Sequence, residues 1–278
     1  MKNMRIFVYI LGASKNPNKI ECRVPYRIND DLIFFGPCKK RLRELLKKDW
    51  DVKYKNEEIY FVGLNASNTE RIRKIVWAGK IVKALSFENA YTEFINDDKY
   101  NELLELSDSP MHVKPLFKNN ILLGYELVKE LHFQENAWIS DLSSDKNLKN
   151  QSEDNIILPK KLDDLDRDIC FLMENMFYAD SNGIDISEQI ISLFKNVQTD
   201  KCKEITSYAI FGKRNDNSTD GKTGRWLEID NTKICQDLIS LIENAAENIT
   251  SKDSIIFNHS KKCNHKKTQN CIKNKNIC

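Results

Sequence analysis

The sequence predicts a mixed α+β protein in which helices flank a curved, barrel-like sheet. Two stretches, 5–11 and 58–64, are rich in β-branched and aromatic residues and end at or near glycine, which is typical of central strands. A third apolar run, 32–35, passes directly into a basic helix that begins near Cys38. The segment 72–85 has closely spaced apolar residues on both sides of a glycine, which predicts a bent strand of the kind that barrels need.

The basic helix carries the clearest functional signal. Leu42, Leu45 and Leu46 form one apolar stripe, and basic residues are expected on the exposed faces around it. Consecutive cations in a first helical turn are unfavourable beside the helix dipole unless an anion lies opposite them. The pattern therefore predicts phosphate contacts by Lys39, Lys40, Arg41 and Arg43. The alternative is a solvated basic face that binds nothing.

Further elements follow from apolar spacing and from turn residues. Ser86 is a predicted N-cap, because Phe87, Ala90 and Phe94 recur after it at helical spacing. The remaining predictions are an extended segment at 22–28, loop and strand at 112–125, helices at 99–106, 167–178, 187–194 and 232–246, and a hairpin of strands 207–212 and 226–229.

The chain is predicted to form one main globular unit. Residues 1–145 make up its core, 146–155 a polar excursion, and 156–250 a C-terminal helical and hairpin part of the same unit. The segment 251–278, rich in lysine and cysteine, is expected to be a disordered tail.

Charge and cysteine usage narrow the functional class. The chain has 43 Lys+Arg against 41 Asp+Glu, a net charge of only +2, so a nucleic-acid contact must use a local patch. Its 8 cysteines are scattered, and the N-terminal apolar run is too short for a signal peptide, which together indicate a reducing cytoplasm. No window is apolar enough to span a membrane, so no membrane partner is expected.

Several of these motifs resemble the nucleotide modification-associated domain family. The resemblance covers roughly residues 4–140. It is carried by Asn16-Pro17 after the first strand, by the helix start with Cys38, Lys39, Leu42 and Arg43, by the glycine-ended strand IYFVGLN, and by Phe87-Glu88 after the bent strand. Such domains are thought to be related to the PUA-like barrels of the EVE and YTH type. The resemblance implies a PUA-like barrel that recognises or processes a modified nucleotide, in DNA modification or phage defence.

A barrel of this type would seat an unstacked base against aromatic faces, while basic residues hold the flanking phosphates. The candidates for this base pocket are Trp77, Trp138, Phe35, Tyr60 and Asn16. Core packing is the alternative for Phe35 and Tyr60, because aromatic residues in strands usually face inward. Trp138 is the strongest candidate, since it lies in a polar stretch where packing does not readily explain an aromatic side chain.

The expected function is thus a binding module for a modified base or nucleotide in nucleic acid. The alternative is an enzyme, glycosylase- or hydrolase-like, that acts on modified nucleotides. Cys38 is the candidate nucleophile, because a helix N-terminus and neighbouring cations lower the pKa of a thiol. Neither His112 nor His132 is placed by the sequence to serve as its base, which favours the binding module.

No cofactor and no metal are expected. The residues His259, Cys263, His265, Cys271 and Cys278 could supply zinc ligands, but they contain no C-x-x-C pair and no apolar flank. An unstructured lysine-rich tail is therefore the simpler interpretation. The stretch 220–223, DGKT, lacks the first glycine of a phosphate-binding loop and is interpreted as part of a hairpin loop.

Overall fold

The structure is a computed structural model that describes residues 2–10, 25–36, 39–64, 74–96, 111–129, 138–145, 147–148, 155–179, 183–185, 189 and 226–250. Its strands are β1 (Met4–Ile10), β2 (Tyr26–Arg27), β3 (Leu32–Phe35), β4 (Glu58–Leu64), β5 (Ile75–Leu85), β6 (Val113–Lys118), β7 (Ile121–Leu127), β8 (Ile156–Ile157), β9 (Cys170–Tyr178) and β10 (Trp226–Ile229). Its helices are α1 (Lys40–Asp49), which continues into a π-helical turn (Trp50–Tyr54), α2 (Phe87–Asn96), α3 (Ile139–Leu142) and α4 (Thr232–Thr250). A 3-10 turn covers Leu162–Asp164. The mixed α+β class is confirmed.

Seven strands form the main sheet in the order β10-β1-β4-β5-β9-β3-β2. β1 and β4 are parallel, and every other neighbouring pair is antiparallel. Among the described strands, the edge strands β10 and β2 do not pair with each other, so this sheet does not close into a barrel.

The main sheet is nevertheless strongly curled. The ring centroids of Tyr9 on β1 and Phe35 on β3 lie 5.7 Å apart, although three strands separate β1 from β3. In a flat sheet these strands would lie about 19 Å apart, because neighbouring strands are spaced by about 4.8 Å. The predicted bend in β5 contributes to the curl: its pairing with β9 shifts register between Ala78 and Gly79.

Each face of the curled sheet is covered by a helix. The concave face buries aromatic residues together with Leu42 and Leu46 of α1. The convex face packs against α4 through Ile234, Leu238 and Ile242, as the apolar spacing of 232–246 predicts. The main sheet therefore has an apolar core on both faces, which is why its central strands contain nearly continuous apolar runs.

A smaller sheet of three strands, β6-β7-β8, lies beside the main one. Asn119 and Asn120 connect β6 to β7, and both have positive φ, 53° and 62°, as a tight hairpin turn requires. Tyr125 and Ile157 of this sheet pack into a cluster with Phe87 and Ala90 of α2. The predicted cap of α2 is confirmed, since the Asn89 backbone N–H donates to Ser86 Oγ at 3.1 Å.

One element was predicted wrongly. Residues 170–178 form the central strand β9 between β5 and β3, whereas the spacing of 167–178 predicted a helix. The strand 226–229 is confirmed as β10, but its described partner is β1. The segments 99–106 and 207–212, and all of 187–194 but residue 189, lie outside the described residues, as do most of 146–155 and the tail. No described helix is long and apolar enough to cross a membrane.

Candidate functional site

Arg43 does not lie on the exposed face of α1, contrary to the prediction. Its side chain is fully buried, and its guanidinium donates to the backbone oxygens of Arg167, of Ile169 at 3.1 Å and of Asp141 at 2.7 Å. The guanidinium also lies 5.6 Å from the centre of the Phe87 ring. Arg43 therefore fastens α1 to α3 and to the segment before β9, and it is not available to a phosphate at the surface.

The other predicted cations of α1 remain near the surface. Lys40, Arg41 and Lys48 are exposed, and the first turn of the helix contains no acidic residue. Lys47 is half-buried and donates to the Leu165 backbone oxygen at 2.6 Å. Neither Arg41 nor Lys48 forms an ion pair within the part of the chain that the structure describes. The basic residues of α1 therefore form two sets. The inward set, Arg43 and Lys47, donates to backbone oxygens of other elements, and the outward set, Lys40, Arg41 and Lys48, is exposed.

Lys39 connects the helix to the concave face of the main sheet. It is the N-cap of α1 and has left-handed backbone angles, φ 57° and ψ 46°. A non-glycine residue in this conformation costs about 1 to 2 kcal/mol, and such strain is often found where a ligand binds. The half-buried Lys39 ammonium lies 4.7 Å from the centre of the Tyr9 ring. The start of the basic helix therefore lies beside β1 of the sheet, where Lys39 contacts Tyr9.

A row of paired residues crosses four neighbouring strands at this end of the sheet, with an aromatic residue on three of them and a glycine on β4. Tyr9 on β1 pairs with Gly63 on β4, Gly63 with Trp77 on β5, and Trp77 with Tyr178 on β9. Tyr9 and Trp77 contact each other edge to face at 5.6 Å, and Phe35 lies 6.0 Å from Trp77. We call Tyr9, Phe35, Trp77 and Tyr178 the aromatic end of the sheet.

The structure separates the aromatic residues that were predicted to line one pocket. Phe35 and Trp77 belong to the aromatic end, whereas Tyr60 packs on the convex face and Trp138 in the core between the two sheets. Trp138 is fully buried, so the expectation that it lies exposed in a polar stretch is wrong. None of the four is more than 7% exposed, and within the described structure all of them serve as core residues.

Tyr9, Tyr178 and Arg27 were not identified from the sequence. The Tyr178 hydroxyl donates to the Pro25 backbone oxygen at 2.9 Å, and the Arg27 guanidinium lies 6.0 Å from the Tyr178 ring. A cation therefore flanks each end of the aromatic row, Lys39 at Tyr9 and Arg27 at Tyr178. For Tyr9, the sequence did contain a signal. Side chains alternate between the two faces of a strand, so Phe7 and Tyr9 of β1 lie on the same face of the sheet.

The buried ionisable groups between the two sheets, Asp168 and Cys170, are better suited to stabilising the fold than to catalysis. Asp168 accepts hydrogen bonds from the Phe87 backbone N–H and from the Tyr125 hydroxyl, both at 2.7 Å. Burial raises the pKa of Asp168, and it raises the pKa of the Cys170 thiol well above its usual value. Cys170 is therefore a poor nucleophile, and Asp168 anchors the first turn of α2.

Two of the predicted functional residues cannot be placed. Cys38 and Asn16 lie outside the described residues, as do the histidines and cysteines of the tail. Within the described part of the chain, no group of three or more His, Cys, Asp or Glu side chains could hold a metal ion.

Comparisons with known proteins identify no relative: no family model, no curated protein and no solved structure matches the chain. The resemblance to the nucleotide modification-associated domains therefore rests on the sequence motifs alone.

Proposed function

We propose that this protein is a nucleic-acid-binding module that holds the phosphate backbone on the exposed face of α1. The observation that carries the proposal is the pair Arg41 and Lys48. Both side chains are exposed, and neither forms an ion pair in the described part of the chain. They lie seven residues apart, almost two helical turns, so they are on the same side of the helix and about 10 Å apart along its axis. Two cations in this arrangement can reach two phosphates.

The local charge supports this proposal. The stretch 39–55 contains eight basic and three acidic residues, although the whole chain has a net charge of only +2. Lys53 and Lys55 within this stretch are paired with Glu228 and Asp51. The unbalanced charge is therefore concentrated on α1 itself, which is the kind of local patch that attracts a polyanion.

The finer proposal is that the module recognises a modified base and is a PUA-like relative. The curled, open sheet with its aromatic concave face supports this relation. Lys39 also supports it, because it belongs to the basic helix and lies over Tyr9 at the aromatic end. A base would reach this end beside Lys39, next to the phosphates held by α1. The rings of Tyr9, Phe35 and Trp77 are buried, so they must separate to admit a base.

Binding of labelled oligonucleotides, measured by fluorescence anisotropy at several salt concentrations, tests the backbone proposal. We expect the double variant Arg41→Glu/Lys48→Glu to bind more weakly and to lose about 1.4 to 1.8 from the slope of log K against log salt, since each lost phosphate contact removes about 0.7 to 0.9. The matched control is Lys114→Glu/Lys118→Glu, which changes the same charge at two exposed lysines of the small sheet. Equal salt slopes for the wild type and the α1 variant would refute the proposal.

Base recognition is tested with oligonucleotides that differ only in one modified base. A preference for one modification that is lost in Trp77→Leu, with the salt slope unchanged, would support recognition at the aromatic end. Mass spectrometry of the oligonucleotide after long incubation separates binding from catalysis. Release of a free or altered base would identify an enzyme instead.

A further inference from the structure

Ser140 of α3 lies beside the start of α1, although 100 residues separate it from Lys40 in the sequence. The Lys40 ammonium donates to Ser140 Oγ at 2.8 Å, and this contact is exposed to solvent. A serine hydroxyl and a lysine ammonium are two of the groups that proteins most often use to hold phosphate oxygens. Here two separate elements of the fold bring them together at the surface.

The backbone around Ser140 is held firmly. The Arg167 guanidinium donates to the backbone oxygens of Ser140 at 2.9 Å and of Ser143 at 3.1 Å, and it pairs with Glu44 of α1 at 2.8 Å. Arg43 fastens the next residue of α3 through the Asp141 backbone oxygen. Ser140 is therefore fixed relative to α1 before any ligand binds, which lowers the entropy lost on binding.

The charges around Ser140 favour an anion. Among the described residues at this junction, the exposed Lys40 and the half-buried Arg167 are cationic, and the half-buried Glu44, which pairs with Arg167, is acidic. The buried Asp141 carboxylate lies 3.6 Å from His112 Nε2, and the buried Arg43 guanidinium, which donates to the Asp141 backbone oxygen, carries the opposite charge, so these two buried charges offset each other.

We propose that Ser140 is a phosphate-binding residue and that it extends the nucleic-acid surface from α1 onto α3. This inference rests on the function proposed above. A phosphate oxygen that contacts Lys40 lies within reach of the Ser140 hydroxyl, because the two groups are already within hydrogen-bond distance of each other. In the complex, the hydroxyl donates to the phosphate oxygen and Lys40 neutralises its charge. The bound backbone then runs from Lys48 past Arg41 to the junction of Lys40 with Ser140.

A double-mutant cycle on oligonucleotide binding tests this inference. We expect Ser140→Ala to weaken binding about five-fold without changing the salt slope, because no charge is removed. Lys40→Ala should weaken binding and also lower the slope by about 0.7 to 0.9. The double variant should lose less affinity than the product of the two single losses, since both groups hold the same phosphate.

Two further variants control for changes in the fold. Ser140→Thr keeps the hydroxyl and should retain most of the affinity. Ser144→Ala removes an exposed serine hydroxyl that contacts Asp166 and should leave binding unchanged. Thermal unfolding of every variant identifies any that fail to fold.

The possible outcomes separate this inference from the proposed function. Wild-type affinity in Ser140→Ala, or independent effects of Ser140→Ala and Lys40→Ala, would overturn the inference while the role of Arg41 and Lys48 stands. If the wild type and the Arg41/Lys48 variant have the same affinity and the same salt slope, the proposed function fails and the inference falls with it.

Discussion

The indole of Trp77 occupies the space that a side chain at residue 63 would need. A Cβ atom built on Gly63 would lie 1.9 Å from Trp77 Nε1 and 2.4 Å from its Cδ1. The two residues are directly paired across β4 and β5, and both are buried, so the indole has little room to move away. The missing side chain at residue 63 thus allows Trp77 to lean across β4 and contact Tyr9.

We therefore expect Gly63→Ala to destabilise the fold by about 3 kcal/mol, because an added methyl group in a packed core forces side chains out of their preferred positions. Unfolding in denaturant measures the loss. In a Trp77→Leu background the same substitution should cost under about 0.5 kcal/mol, since the clashing ring is absent. An equal cost in both backgrounds would show that the indole is not the cause.

The second prediction concerns Arg43. Its replacement by methionine removes a buried guanidinium that donates to three backbone oxygens, and we expect a loss of about 3 kcal/mol in the free energy of unfolding. Arg43→Lys should recover only part of this loss, because an ammonium cannot reproduce the planar fork of donors.

The matched control for Arg43 is Arg41→Met, two residues earlier in the same helix. Arg41 is exposed, so this substitution should change the free energy of unfolding by less than about 0.5 kcal/mol. Similar losses in the two variants would contradict the division of α1 into an inward and an outward basic set.

The third prediction is a pH dependence that arises from Asp168. Burial raises the pKa of this carboxyl above its usual value of 3.8, so the folded state holds the proton more tightly than the unfolded state does. Stability is therefore greatest at low pH with respect to this group, and it falls as the pH rises through the folded-state pKa. The fall begins near pH 3.8.

Asp168→Asn, which cannot ionise, provides the comparison. The free energy of unfolding of the variant, minus that of the wild type, should increase as the pH rises above 3.8. Denaturant unfolding at several pH values measures this difference. Burial and the charge of Asp168 also raise the pKa of Glu88, so Glu88→Gln is introduced into both proteins to remove its contribution from the difference. A difference that stays constant or decreases with pH would contradict the prediction.

The strands of the N-terminal half were predictable because each combines a clear apolar run with a turn signal. β9 was not, because its first four residues, 170–173, are all buried. A strand that is covered on both faces loses the alternation that distinguishes it from a buried helix. Its position between β5 and β3 depends on pairing with residues about 90 to 140 positions earlier, which no local pattern contains.

The location of the candidate site was predictable from the sequence, but the different roles of its basic residues were not. The basic start of α1 was identified, yet nothing local distinguishes Arg43 from Arg41. The oxygens that bind Arg43 belong to residues 98 to 126 positions later. Trp138 was misplaced for a similar reason: the stretch 134–141, QENAWISD, is mostly polar, and most of the apolar cluster in which Trp138 packs comes from strands and helices elsewhere in the chain.

The central position of β9 also determines the order in which the sheet can be completed. Among the described strands, β3 and β5 are joined only through β9, so a nascent chain that ends before Cys170 presents two open edges of these strands, with apolar side chains on both faces. β10 joins β1 later still, across more than 200 residues. Contacts this distant in sequence make folding slow, and they leave the partly made protein exposed to aggregation during synthesis.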